Sequence, residues 1–216
     1  RIVQGSQEIS SPLVKRGSAK VELLLLITSD RGLCGAYNGN VFRLAMNHIK
    51  EAEESGKKIE IHTIGKKASA LLKFQKRSVD CHYDLGDSPS YSEVSKIADK
   101  YIKQFSNSEY SSIKVASMEF ISTSRQQPRI QTVLPIEPSA KLQTEDSNTS
   151  KGAPYELLPS PVELLDTLLP LAVKTTLFSS INDALVSEQV MRMIAMKAAT
   201  ENANDLGKGL KRNFNR

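Results

Sequence analysis

The sequence predicts an α/β domain, a mixed sheet flanked by helices, with one long helix appended at its carboxyl end. Three observations predict it. Short apolar and β-branched runs alternate with segments of helical period between Val21 and Ile136. Two of those runs follow one another with only a turn between them, which demands an antiparallel pair. From Pro161 to Arg216 helical spacing then persists with no turn signal before Gly207.

The elements follow in order. The first twenty residues, RIVQGSQEISSPLVKRGSAK, mix Ser, Gly, Pro and charge without a period and predict a connector. Val21–Thr28 is apolar except at Glu22, the pattern of a strand covered on both faces. It runs into the turn-rich stretch SDRGLCGAYNGN. From about Tyr37 to Ser55, the spacing of Val41, Leu44, Ala45, His48, Ile49 and Ala52 predicts a helix lying on the sheet, stopped by Gly56. KIEIHTI, Lys58–Ile64, alternates as a strand, and Gly65–Lys76 reads as a short helix carrying Leu71, Leu72 and Phe74. After a short strand near Val79–Tyr83, the turn GDSPSY leads into a helix from about Ser92 to Phe105, with Val94, Ile97, Ala98, Tyr101 and Ile102 inward. Ser112–Thr123 and Arg129–Ile136 read as strands, with RQQP as the hairpin turn between them. Pro138–Ala153 is polar and predicts a solvated loop, and Tyr155–Leu158 an edge strand.

The last segment differs in kind. Leu164, Leu168, Phe178, Ile181, Leu185, Met191, Ile194, Ala198, Leu206, Leu210 and Phe214 keep helical spacing, with a kink expected at Pro170. Beyond that proline the helix would run on the order of 65 Å at ~1.5 Å per residue, farther than a domain of this size can cover. Ala195, Ala198, Ala199 and Ala203 narrow its stripe enough for a second helix to approach closely, as in a two-stranded coil. No other segment is long enough to be that second helix, so a partner helix or a surrounding protein is expected. The divisions are therefore a connector over 1–20, an α/β domain over 21–160 and the long helix over 161–216.

Composition narrows the function classes. At 216 residues and 39% hydrophobic content, the chain buries one ordinary core with length to spare. The formal charge of +5 could serve nucleic acid, a membrane surface or an acidic protein partner and selects none of them. Cys34 and Cys81 are too few for a disulfide framework and show no metal-ligand spacing. The strongest apolar run, Leu23–Ile27, is far short of the roughly 20 residues that span a bilayer, so a soluble protein is expected. His48, His62 and His82 fall on different elements, and serine occurs without GxSxG or SxxK, which gives neither metal nor acyl-transfer chemistry a foothold. Gly32, Gly35 and Gly39 stand where a dinucleotide-binding domain holds phosphate, but not as GxGxxG; a tight strand-to-helix turn explains them equally well, and a nucleotide-binding protein is the alternative. The final GKGLKRNFNR carries four cations and no acid, matching either the helix dipole or an acidic partner surface. Sparse aromatics and the lack of a recognition helix leave nucleic acid unsupported.

Two stretches carry a family resemblance. TSDRGLCGAYNGN resembles the signature turn of the gamma subunits of F-type ATP synthases, Ser/Thr-Asp-x-Gly-Leu-Cys-Gly followed shortly by Asn. SEQVMRMIAMKAATENANDL is similar to that family's carboxyl-terminal helix, through Met193, Ala195 and Met196, then Ala199 and Thr200, then Asn202 and Ala203. YDLGDSPSY and PSPVELLDTLLP also resemble it, so the likeness spans most of Val21–Leu206 in order. It implies a Rossmann-like domain at the foot of a rotor, with the long helix as half of an antiparallel coiled coil. The implied partners are the alpha and beta subunits of a catalytic ring, an epsilon (or delta) subunit and a membrane c-ring, with no membrane span, no cofactor, no metal and no catalysis by the chain itself. It implies contacts through Asp30, Arg31, Gly32, Leu33, Cys34 and Gly35 near the lower ends of the beta subunits, and through Met191, Arg192, Met196, Lys197 and Asn202 on the coil surface. The expected location is peripheral, on the cytoplasmic face of a bacterial inner membrane, with the mitochondrial inner membrane as alternative. The family's amino-terminal helix and the Arg-Gln-Ala stretch expected after Arg216 are not in the sequence, so a fragment truncated at both ends is expected.

Overall fold

The computed structural model describes residues 12–14, 17, 19–136 and 161–215. The expected loop Pro138–Ala153, the expected strand Tyr155–Leu158 and most of the expected connector lie outside the described residues.

In chain order the elements are β1 (Val21–Ile27), α1 (Tyr37–Glu54), β2 (Lys58–Ile64), α2 (Lys66–Phe74), β3 (Cys81–Tyr83), α3 (Tyr91–Ser106), β4 (Ser112–Ser122), β5 (Arg125–Leu134) and α4 (Pro161–Phe214). They build one sheet in the order β3-β2-β1-β4-β5. The first four strands in that order are parallel and β5 returns antiparallel to β4. The chain thus winds outward one way from β1, then restarts on its other side at β4.

Central position explains the unbroken apolar run of β1. Leu23, Leu25 and Ile27 enter one core with α3 and the first half of α4, while Leu24 and Leu26 enter the other with α1 and α2. Period-2 side chains on a strand covered twice leave no polar positions to spare. The helix stripes close these cores through Val41, Ala45 and Ile49 of α1, Ala68 and Leu72 of α2, and Val94, Ala98 and Tyr101 of α3. A capping box starts α3: Ser90 Oγ accepts from the Glu93 N–H at 3.2 Å, and the Glu93 carboxylate accepts from the Ser90 N–H at 2.8 Å. Phe74 is exposed because α2 is ending and its inward row is Ala68 and Leu72.

The hairpin differs from expectation. RQQP is not the turn but the opening of β5, and the chain reverses at Thr123 and Ser124. Pro128 is tolerated opposite Met118 because β5 is an edge strand, where alternate N–H groups have no ladder partner to lose.

In α4 the inward row is Leu165, Leu169, Val173, Leu177, Ile181 and Ala184. The expected row began one residue early, at Leu164 and Leu168, and Leu168 is in fact exposed. Adjacent leucine pairs at 164–165 and 168–169 made the phase ambiguous, and fit to the sheet decides it. The helix continues through Pro170, which costs it the bond to the Asp166 carbonyl. Lys174 ties α4 to α3 by an ion pair with Asp99 at 2.8 Å. By length and composition Leu164–Phe214 is long and apolar enough to cross a membrane, against the expectation from Leu23–Ile27, but the row just named is spent on the sheet.

Candidate partner-contact site

The signature stretch lies at the carboxyl end of β1, and its first residues work inward. Helix α2 has no side-chain cap of its own, since its N-cap is Gly65. The end of β1 supplies the caps from a distance: the Lys66 N–H donates to Asp30 Oδ1 at 2.9 Å, the Lys67 N–H to the Ser29 carbonyl at 3.1 Å, and the Ala68 N–H to Thr28 Oγ1 at 2.8 Å. This lateral cap needs Gly65, which has φ +89° and would place a Cβ 2.1 Å from the Thr28 carbonyl oxygen.

The rest of the turn is held by Asn38. Its Oδ1 accepts from the Ser29 N–H at 3.0 Å and its Nδ2 donates to Cys34 Sγ at 3.2 Å. Cys34 is buried in the α1 core beside Tyr37, whose hydroxyl burial pushes to a higher pKa. The surface left over is Arg31, Gly32, Leu33 and Gly35. Arg31 pairs with Asp87 across the turn. Leu33 has φ +63° and is 72% exposed, an apolar side chain held outward by a left-handed backbone.

Helix α4 crosses this same end of the sheet. Ala184 belongs to the core on one face, and Met191 packs against the core on the other. Between them Glu188 is buried and pairs with Arg192. A Cβ built on Gly35 would touch the Ala195 methyl at 4.0 Å. The helix therefore occupies the crevice outside the strand ends, where open α/β sheets usually hold ligands. What remains between Thr28, Tyr37, Gly65, Leu185 and Glu188 is a cavity of about 20 Å³, room for about one water. Helix α4 fills the crevice beside the glycines of the turn, and the space left among the described residues is far smaller than a nucleotide.

Of the expected contact residues, the structure thus brings Asp30–Gly35 together with Met191 and Arg192. Met196 is half-buried just beyond, while Lys197 and Asn202 stand out on the part of α4 that leaves the domain. There Met193, Ile194, Leu206, Leu210 and Phe214 are 59%, 48%, 70%, 69% and 91% exposed.

A family model described as ATP synthase matches residues 1–216. An ATP synthase gamma chain from Rhodopirellula baltica is 36% identical, over 100% of this chain and 74% of that relative. The chain belongs to the ATP synthase gamma-chain family. A gamma chain from Leptospira biflexa is 33% identical over 96% of this chain and 71% of its own length. The fold agrees with a chain of the Euglena gracilis mitochondrial ATP synthase rotor, at TM-score 0.61 and 18% identity over 98% of this chain and 77% of that one. It also agrees with a chain of the Tetrahymena thermophila central stalk and c-ring structure, at TM-score 0.59 and 19% identity over 93% and 91%.

Three residues of this gamma-chain site escape a reading of the sequence. Gly65 had a signal, a glycine between a strand and a helix, and was absorbed into the helix. Thr28 looked like the last residue of a strand. Glu188 carries no local signal of burial, and the crossing of α4 over the turn buries it.

Proposed function

We propose that the chain is the central rotor of an F-type ATP synthase, coupling ion-driven rotation at the membrane to conformational cycling of the catalytic beta subunits. The observation that supports this best is the division of α4. Its first half is anchored by six inward apolar side chains, of which the five larger ones, Leu165, Leu169, Val173, Leu177 and Ile181, each contribute about 1.5–3 kcal/mol on full burial. Its second half leaves the domain with apolar residues bare. A rod fixed at one end and free at the other transmits torque; a helix folded back on its own sheet would not.

On this reading the domain over 21–160 is the foot, the helix over 161–216 is half of an antiparallel coil, and 1–20 connects to the other half. Ala198, Ala199 and Ala203 allow the second helix to lie close. Arg31, Gly32, Leu33 and Gly35 form the turn's contact surface near the beta subunits, with Asp30 and Cys34 holding its shape from within. Met191 and Arg192 lock the shaft to the foot, and Met196, Lys197 and Asn202 face the coil partner or the ring. The alpha and beta ring, epsilon (or delta) and the c-ring are the partners, and the chain is peripheral on the cytoplasmic face of a bacterial inner membrane. It performs no chemistry: each beta subunit is stabilised in a different conformation by the face of the shaft it meets.

The test is ATP-driven rotation. A gamma chain carrying these residues, assembled with alpha and beta subunits on a surface and tagged at the α/β foot, should turn in steps when ATP is added. A complex that hydrolyses ATP with the foot stationary would overturn the proposal.

A further inference from the structure

The amino ends of the parallel strands carry a second concavity, at the opposite end of the sheet from the signature turn. It measures about 460 Å³ and lies between the starts of β1 and β4 and the α1–β2 turn, lined by Lys20, Glu22, Gly56, Lys57, Lys114 and Thr132 among others. That volume is in the range of small-molecule sites.

Its charge is arranged from within. Glu22 is fully buried on β1, and its Oε1 meets His48 Nε2 at 2.5 Å. Its Oε2 accepts from Ser112 Oγ at 2.9 Å and from Lys114 Nζ at 3.1 Å. The carboxylate is therefore saturated, and its main cation is Lys114. Lys57 Nζ stands 3.9 Å from the same oxygen, beyond hydrogen-bond distance, with its side chain 45% exposed. Lys20 is exposed and has no ion pair among the described residues. Three ammonium groups thus line the cavity against one carboxylate, and neither Lys20 nor Lys57 donates a side-chain hydrogen bond among the described residues.

We infer that this cavity binds a phosphate-type oxyanion, with Lys20 and Lys57 as its direct ligands and Lys114, fixed by Glu22, supplying field from behind. A lysine ammonium is a compact point charge suited to phosphate oxygens. The volume exceeds that of one phosphate, so the group that carries the phosphate also has room. That carrier is either a phospholipid or a soluble phosphate compound.

The full chain is titrated calorimetrically with inorganic phosphate and, separately, tested for co-sedimentation with phosphatidylglycerol vesicles, with phosphatidylcholine vesicles as blank. Lys20→Ala/Lys57→Ala is compared with Lys208→Ala/Lys211→Ala, which removes the same charge from the exposed end of α4. Both pairs are exposed, so urea midpoints should match the parent. Saturable phosphate binding that falls at least about tenfold in the Lys20/Lys57 variant and less than about twofold in the other supports a soluble source. The same selective loss of vesicle binding supports a headgroup. No saturation with either probe, or equal losses in the two variants, overturns the site. None of these outcomes depends on whether the chain rotates.

Discussion

Replacing Glu22 by Gln tests whether a buried ion network holds the foot together. Burial alone would raise the Glu22 carboxyl, but hydrogen bonds from His48 and Ser112 and the charge of Lys114 outweigh it and bring the pKa from 4.5 down to about 2. A folded-state pKa below the unfolded one stabilises above the unfolded value and loses that stabilisation as pH falls through the folded value. The shift of about 2.5 units is therefore worth about 3 kcal/mol at neutral pH, decaying from about pH 4.5 to about pH 2. Gln resembles the protonated carboxyl, so it removes this contribution at every pH and leaves Lys114 half-buried without its counter-charge. Urea unfolding followed by circular dichroism at pH 7, 4 and 2.5 should show Glu22→Gln less stable by about 3 kcal/mol at pH 7, with the gap closing on acidification. A gap that is as wide at pH 2.5 as at pH 7 would place the cost in packing and refute the electrostatic account. No gap at pH 7 would refute it outright.

Gly65→Ala should lower stability by at least ~2 kcal/mol in denaturant titrations, because both the positive φ and the Thr28 carbonyl oppose a side chain. Asp30→Ala should cost about 1 kcal/mol and speed amide exchange in the first turn of α2, where its carboxylate accepts from Lys66. Ile181→Ala should cost about 2–5 kcal/mol as a core truncation, whereas Leu206→Ser with Leu210→Ser should stay within about 0.5 kcal/mol in the isolated chain and weaken assembly with alpha and beta. Hydrogen exchange along α4 in the isolated chain should change from protected to fast between Met191 and Met196, where its contacts with the turn end.

Local pattern made most of the sheet legible. β1 announced itself as doubly covered because nothing but a central strand tolerates VELLLLI, and α1 and α3 because their stripes repeat over four turns. Failure came where two local signals competed. RQQP carries a turn-like proline, yet TS reverses the chain, since an edge strand accepts the proline and the pairing of β4 with β5 gains by extending to Arg125. The leucine pairs of α4 left two phases open, and only the shape of the core selects between them. For the site, the glycines and Asn38 were visible as turn formers. The cap on α2 was not, because Asp30 and Lys66 are 36 residues apart and meet only through the pairing of β1 with β2. Likewise nothing local marks Glu22 as ionised: an acid in a buried strand is legible as an exception, but the two nitrogens in hydrogen-bond reach of it come from α1 and β4.

The division of labour inside the signature turn follows from these contacts. On the proposed contact role, a turn at a moving interface must keep its shape under load, and a loop of glycines alone would not. Thr28, Ser29 and Asp30 fasten one side of it to α2, Asn38 and Cys34 fasten its base to α1, and Ala195 of α4 closes against Gly35. Most of the residues that mark the family therefore serve the rigidity of the turn, and Arg31 and Leu33 are its large side chains left in solvent. Rigidity at this point is also what couples foot to shaft, because α4 rests on the same turn before it leaves the domain. If contact with a partner runs through side chains, substitutions at Arg31 and Leu33 should affect coupling while leaving stability unchanged. Substitutions at Asp30 and Cys34 should affect both, since they loosen the bearing on which the helix sits.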